Sequence, residues 1–424
     1  MINKSLKSLV FFMFLFSSFI LENQCKALDT KEHVFAVKED RYQDFLSACK
    51  KNNVTVNYKI PEINVVQIKS NDQEYQELLK GGFLAEHKIK KPENAKKVYS
   101  MSLIKKGSII PNNNESKHWD FDLVTEYGSY FLHYPKQHNT RIAIVDSGIN
   151  KFGNMRTNIS KHSKNMIPKN SFSDKRDTKD IVDNTGHGTF VTSQIISETK
   201  VKGLSPNTHV GIYKATKNGG GNPLWTINGI VSATKDGMNI INISNGMYFN
   251  INNMSIDEKN IYEAYRRAIN YAQHRNKVIV ASAGNNGLNF NINNRQITRQ
   301  DVPSVFSGVV TVNSTNKKNE RSNFSNYGKG FIDISAPTGE INEKKSYGIK
   351  GYNKYGKIEE RNGTSFAAPK VSAGLALIMD KYHLQNHPSI AVNILYDSAS
   401  RNENYSKEEN GNGILNIKNA LSYP

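Results

Sequence analysis

Short apolar runs without alternation limit what this 424-residue chain can fold into more than any other feature. Ile142-Ala143-Ile144-Val145 is apolar at consecutive positions, as are Val278-Ile279-Val280-Ala281 and Val309-Val310. Such runs suit strands buried on both faces, and therefore a parallel sheet. Further strands are predicted at His209-Val210-Gly211-Ile212-Tyr213-Lys214-Ala215, at Ile240-Ile241-Asn242-Ile243-Ser244 and at Phe331-Ile332-Asp333-Ile334. Helical stretches separate them. Residues 190–196, 225–236 and 261–274 are three, the last with Tyr262, Tyr265, Ala268, Ile269 and Ala272 on one side, and an Ala- and Leu-rich run ends at Met379. Alternating strands and helices predict an α/β fold, a doubly wound parallel sheet with helices on both faces.

Three polar residues stand at the ends of these elements. Asp146 follows the first apolar run, at the carboxyl end of its strand, where open α/β sheets place their sites. His187 lies in Asn184-Thr185-Gly186-His187-Gly188-Thr189, between glycines that permit close backbone approach and ahead of a predicted helix. Ser365 lies in Asn362-Gly363-Thr364-Ser365-Phe366-Ala367-Ala368-Pro369, a small-residue turn that opens a helix. A serine there gains from the helix dipole and from free N–H groups that can face an oxyanion. A nucleophilic serine needs a base, and the base needs a carboxylate to orient it. Taken singly, each motif has a plainer reading: a turn, a loop histidine, an N-cap serine. The order Asp, His, Ser is one of three by which unrelated folds build this triad.

With these motifs the chain resembles the subtilisin family of serine proteases, from about Trp119 to the C-terminus. A fourth motif, Ala281-Ser282-Ala283-Gly284-Asn285, supports the resemblance. It implies that Asn285 donates its amide to the oxyanion, with the Ser365 backbone N–H as second donor. It also implies that Ser244, Asn245 and Gly246 form the edge that pairs with substrate backbone, and that Ala283 and Gly284 wall the S1 pocket. Asn245 replaces an apolar residue, which predicts a more polar edge. Counting back from Val309, Asp301 falls close to where the family's S1 floor lies, and a carboxylate there would favour Arg or Lys at P1; a solvated loop acid is the alternative. Within the subtilisins the chain resembles lantibiotic leader peptidases. The cues are the Ser365 motif continued to Lys370-Val371-Ser372, Ser322-Asn323-Phe324-Ser325-Asn326-Tyr327-Gly328, the stretch 271–285, Tyr58-Lys59-Ile60-Pro61-Glu62-Ile63 and Trp119-Asp120. That resemblance implies cleavage of a bacteriocin precursor after a basic residue. A general secreted protease and an inactive envelope-binding protein are the alternatives. The chemistry requires no cofactor. The loop Asn150-Lys151-Phe152-Gly153-Asn154 lacks the acid that the family's calcium site uses, so at most a weak site of carbonyls and amides is expected.

The N-terminus reads as an export signal. Lys4 and Lys7 precede an apolar run over 9–21, and Cys25-Lys26-Ala27 supplies a small-residue exit, so residues 1–27 are predicted to be a signal peptide. The run is short for a membrane span, which needs roughly 20 residues, so no stable anchor is expected. Cys25 leaves with it and Cys49 remains, which rules out an internal disulfide in the mature chain. Residues 28–90 read β-α-β-β-α and resemble the small α+β propeptide of subtilisins, with a permanent accessory domain as the alternative. Residues 91–116, rich in Lys, Asn and Pro, read as a cleavable linker, and 117–424 as the protease. The net charge of +18 is spread without an arginine–aromatic platform, which argues against nucleic acid. It suits a secreted enzyme held at an anionic envelope or drawn to an acidic peptide.

Overall fold

Tyr42, Phe45 and Cys49 recur at helical spacing and need an apolar surface to cover, and the first of two compact units supplies it. The computed structural model describes residues 30–85, 98–100, 118–168, 178–250, 252–290, 299–341, 346–401 and 405–424. The expected signal peptide, and all of the expected linker but 98–100, lie outside them. In the first unit the order is β1 (Lys31–Ala36), α1 (Tyr42–Lys51), β2 (Thr55–Ile60), β3 (Val65–Ser70) and α2 (Asp72–Lys80). The antiparallel sheet runs β1-β3-β2. Both helices pack on it, Phe45, Tyr75 and Leu78 meeting Phe35, Val66 and Ile68. A capping box between Asn71 and Glu74 starts α2 three residues before Tyr75, where its apolar spacing becomes visible. Cys49 is buried and its thiol is pushed up to about 12, so it is inert at neutral pH.

The second unit begins with β4 (Val98–Ser100), α3 (Trp119–Thr125), β5 (Arg141–Asp146) and β6 (Lys164–Asn165). It continues with α4 (His187–Ile196), β7 (His209–Lys214), β8 (Gly220–Gly221) and α5 (Pro223–Lys235). Next come β9 (Ile240–Ile243), β10 (Asn245–Asn250), α6 (Ile256–Gln273) and β11 (Val278–Ser282). Then follow β12 (Arg299–Val302), β13 (Val309–Thr315), β14 (Ile334–Pro337) and the short hairpins β15 (Glu340–Ile341) with β16 (Ser346–Tyr347) and β17 (Ile349–Tyr352) with β18 (Ile358–Arg361). α7 (Thr364–Tyr382) and α8 (Pro388–Asp397) lead to the closing helix Ile417–Leu421.

Seven strands form one parallel sheet in the order β14-β13-β11-β9-β5-β7-β6. Ile142 to Val145 are fully buried, as a strand covered on both faces must be. Small residues along α7, among them Ala367, Ala368, Ala373 and Ala376, let it pass close over the sheet, and Thr364 to Asp380 are all buried. The last strand differs from its expected place at 331–334. Phe331 and Ile332 pack instead with Ala283 and Phe290 in a separate cluster, and the Asp333 carboxylate accepts the Thr311 N–H, so the ladder starts at Ile334. A second, antiparallel sheet, β12-β10-β4-β8, stands beside the carboxyl ends of the parallel strands. Its pieces are two to six residues long, too short to show a period in the sequence.

Candidate active site

β5, β9 and β11 run parallel and in register, so their carboxyl ends converge. Asp146 closes β5, and its Oδ1 lies 2.7 Å from Nδ1 of His187, the first residue of α4. Gly186, at φ +84°, turns the chain into that helix. Both side chains are almost fully buried, the Ser147 N–H donates to Asp146 Oδ1 at 2.7 Å, and the Phe366 ring lies 5.4 Å from the imidazole, centroid to centroid. His187 therefore sits against the residue next to Ser365. A buried carboxylate on Nδ1 fixes the tautomer that leaves Nε2 as the proton acceptor. His187 Nε2 has no hydrogen-bond partner here, and the Ser365 hydroxyl donates to the Ser244 carbonyl at 3.0 Å. Hydrogen bonds of this kind often close only when substrate is bound.

The sequence around Ser365 explains how the residue is held. Pro369 has no N–H, so the helix cannot satisfy the Ser365 carbonyl, and the Ser244 hydroxyl does so at 2.7 Å. Behind Ser244 stand Asn242, donating to its hydroxyl at 2.9 Å, and Ser372, donating to Asn242 at 3.0 Å. Asn242, a polar residue in a buried strand, is thus accounted for. Asn285 lies beside the same helix start. Its Oδ1 accepts the Thr364 N–H at 2.9 Å and the Thr364 hydroxyl at 3.0 Å. An amide oxygen held by an N–H makes the other amide atom the donor, so Asn285 can present Nδ2 to an anion.

The residues expected to bind substrate surround this centre. Asn245 and Gly246 begin β10 and pair through their backbones with Ser100 and Tyr99 of β4, and β4 pairs on its other side with β8. An extended segment of the chain thus lies between two strand edges, in the manner of a peptide adding to a sheet. The amide of Asn245 is not on that edge. It is buried, donating to the Val145 carbonyl at 2.8 Å and accepting from Thr226 at 3.3 Å, so it adds no polarity to the binding surface. Ala283 and Gly284 are held by Asn326, which donates to the Ala283 carbonyl and accepts the N–H groups of Asn286 and Leu288.

Asp301 lies directly behind that wall. A Cβ on Gly284 would fall 2.7 Å from Asp301 Oδ2 and 2.5 Å from the Tyr248 hydroxyl, and the residue adopts φ +93°, so glycine is required twice over. Asp301 faces Tyr248 across the β10–β12 ladder. It is fully buried, neither carboxylate oxygen has a hydrogen-bond partner, and burial raises its pKa well above the usual range. The alternative of a solvated loop acid does not fit a carboxyl with no exposed surface. Tyr248 and Asn326 were not identifiable from sequence as neighbours of Gly284 and Asp301, since a strand tyrosine and a loop asparagine carry no spacing signal. Among the described residues no group of three or more His, Cys, Asp or Glu side chains is placed to hold a metal.

Residues 137–413 match the model of the subtilase family. Over 97% of its length the chain is 31% identical to the epidermin leader peptide-processing serine protease EpiP of Staphylococcus epidermidis, covering 98% of that protein. It is also 31% identical to the nisin leader peptide-processing serine protease NisP of Lactococcus lactis subsp. lactis, over 79% of this chain and 53% of that one. The crystal structure of EpiP from Staphylococcus aureus superposes with a TM-score of 0.79 at 32% identity, covering 93% of this chain and 98% of the other. With an apolar parallel sheet gathering acid, imidazole and hydroxyl at its carboxyl end, this chain belongs to the subtilase family of serine proteases.

Proposed function

We propose that the protein is an exported endopeptidase that removes the leader from a lantibiotic precursor by cutting after a basic residue. The names of its relatives supply the substrate class, and one observation carries the specificity: Asp301, an unpartnered carboxyl behind the Gly284 wall. A guanidinium or ammonium at P1 would give that carboxyl the charge partner it lacks.

The chemistry follows from the proposed roles. Ser365 Oγ attacks the scissile carbonyl carbon as His187 Nε2 takes its proton, and Asp146 steadies the imidazolium through Nδ1. The Asn285 amide and the Ser365 N–H hold the oxyanion. His187 then passes the proton to the leaving amine, and water, activated by the same imidazole, hydrolyses the acyl-enzyme. Catalysis draws on no metal in this scheme.

Residues 28–90 serve as a propeptide, and the pairing of β4 with β8 and β10 supports self-cleavage of the linker by the same site. Export by the N-terminal signal and retention at an anionic envelope through the net charge of +18 complete the proposal. No helix among the described residues is long and apolar enough to cross a membrane. The test is a set of leader–core peptides with Arg, Lys or Leu at P1. Peptides with Arg and Lys should be cut far faster than those with Leu, and Asp301→Ser should erase most of that preference. An unchanged Arg:Leu ratio of kcat/KM in the variant would remove Asp301 from the pocket's chemistry, and indifference to P1 throughout would favour a general protease.

A further inference from the structure

A second buried acid lies four residues before His187, and the proposed mechanism gives it no role. Asp183 is 1% exposed. Its Oδ1 accepts from the Ser147 hydroxyl at 2.8 Å, the Gly186 N–H at 2.8 Å, and the Thr185 N–H and hydroxyl at 3.0 and 3.1 Å. Its Oδ2 accepts from the Thr189 N–H at 2.8 Å and the Thr189 hydroxyl at 2.7 Å. Burial alone would raise its pKa, but these donors outweigh it and hold the carboxyl below its usual range, as a carboxylate.

Each donor leads to one side of the acid–base pair. Ser147 donates its N–H to Asp146, and its hydroxyl accepts the Gly188 N–H at 2.9 Å. The Thr185 hydroxyl accepts the N–H of His187 itself at 3.2 Å. Thr189 belongs to the first turn of α4, so the carboxylate also satisfies an N–H that the helix cannot. Asp146, Ser147, Asp183, Thr185 and His187 thereby close a ring whose last link is the 2.7 Å contact between His187 and Asp146. Space is tight here: a Cβ on Gly188 would lie 2.3 Å from the Gly148 carbonyl, so the ring is packed directly against backbone that leaves no room for a side chain at 188.

We infer that Asp183 is a positioning residue, which sets the geometry of the Asp146–His187 pair through Ser147, Thr185 and Thr189 without touching the reacting atoms. The inference rests on the triad reading above. In Asp183→Asn, whichever way the amide turns, its NH2 faces a backbone N–H, of Thr189 on one side or of Gly186 on the other. A displacement of about 1 Å at a catalytic group costs about a hundredfold in rate.

The full-length protein and its Asp183→Asn variant are compared on a leader–core peptide with Arg at P1, with Ser365→Ala as a control for the triad itself. The expected result is a kcat lowered about a hundredfold with KM within about twofold of wild type. In a Ser147→Ala/Thr185→Val background the same substitution should lose most of its effect, because its route to the pair is gone. Should Asp183→Asn not fold, Ser147→Ala and Thr185→Val carry the test through the same split of kcat from KM. Wild-type kcat in the variants, or equal losses in both backgrounds, would overturn the positioning role. Activity surviving in Ser365→Ala would instead overturn the triad and leave the Asp183 geometry without a reaction to serve.

Discussion

In the proposed mechanism Asn285 is a single side chain prepared for charge that does not yet exist. Its oxygen is tied to Thr364, one residue before Ser365, so the donor end keeps its orientation before substrate arrives. Asn285→Ala should lower kcat by about 10²–10³ with little change in KM, a magnitude that comes from subtilisin itself. Stopped-time peptide assays would show this, and a variant losing only KM would deny the oxyanion role. Asp301 makes a separate prediction about pH. Burial raises its pKa well above the usual carboxylate range and so favours the protonated form, and in the proposed S1 role a cationic P1 side chain would displace that proton. The Arg:Leu ratio of kcat/KM should therefore rise with pH, and a flat ratio would show that the charge is not used. Asp301 was legible only by counting from a recognised strand. Asp183 was not legible, because an acid in Asp180-Ile181-Val182-Asp183-Asn184 reads as a solvated turn until its donors are seen to fold around it.

At the level of elements, unbroken apolar runs were readable and the ends of the elements were not. The helices α5 and α6 begin earlier than their periodicity shows. Asn222 with Pro223 starts one, and the capping box of Ser255 and Glu258 starts the other. The strands of the antiparallel sheet were invisible for lack of length, apart from the edge at Asn245 and Gly246 that the family resemblance supplied. A contact of higher order links α3, α4 and α7. Lys370 Nζ is fully buried, 2.5 Å from Asp120 and 3.2 Å from Gln194. Removing one partner of such a pair leaves an uncompensated buried charge, at a cost of about 3–5 kcal/mol. Lys370→Met should thus lower the melting temperature strongly, and adding Asp120→Leu should restore much of it. A double variant no more stable than the single one would mean that packing, not charge, is at stake.

Across the whole molecule, stability comes from packing, on the antiparallel sheet of the first unit and on the parallel sheet of the second, since the only cysteine among the described residues is the buried, unpaired Cys49. Buried carboxyls with raised pKa values oppose that stability as pH rises, Asp333 among them. Asp333 has its pKa pushed up from 3.8 to about 6, chiefly by burial. The folded state holds this proton after the unfolded chain has lost it, so stability falls as pH rises from about 4 to about 6 and stays reduced above. Asp333→Asn should accordingly raise the melting temperature at pH 8 and leave it nearly unchanged at pH 4. Function depends, in the proposed mechanism, on Asp146, His187 and Ser365 acting as one hydrolytic unit. Treating the purified protein with a fluorophosphonate and locating the adduct by mass spectrometry tests it directly. One adduct is expected, on Ser365, appearing as leader cleavage is lost and absent in His187→Ala. Full cleavage activity with Ser365 unlabelled, or labelling untouched by loss of His187, would contradict it.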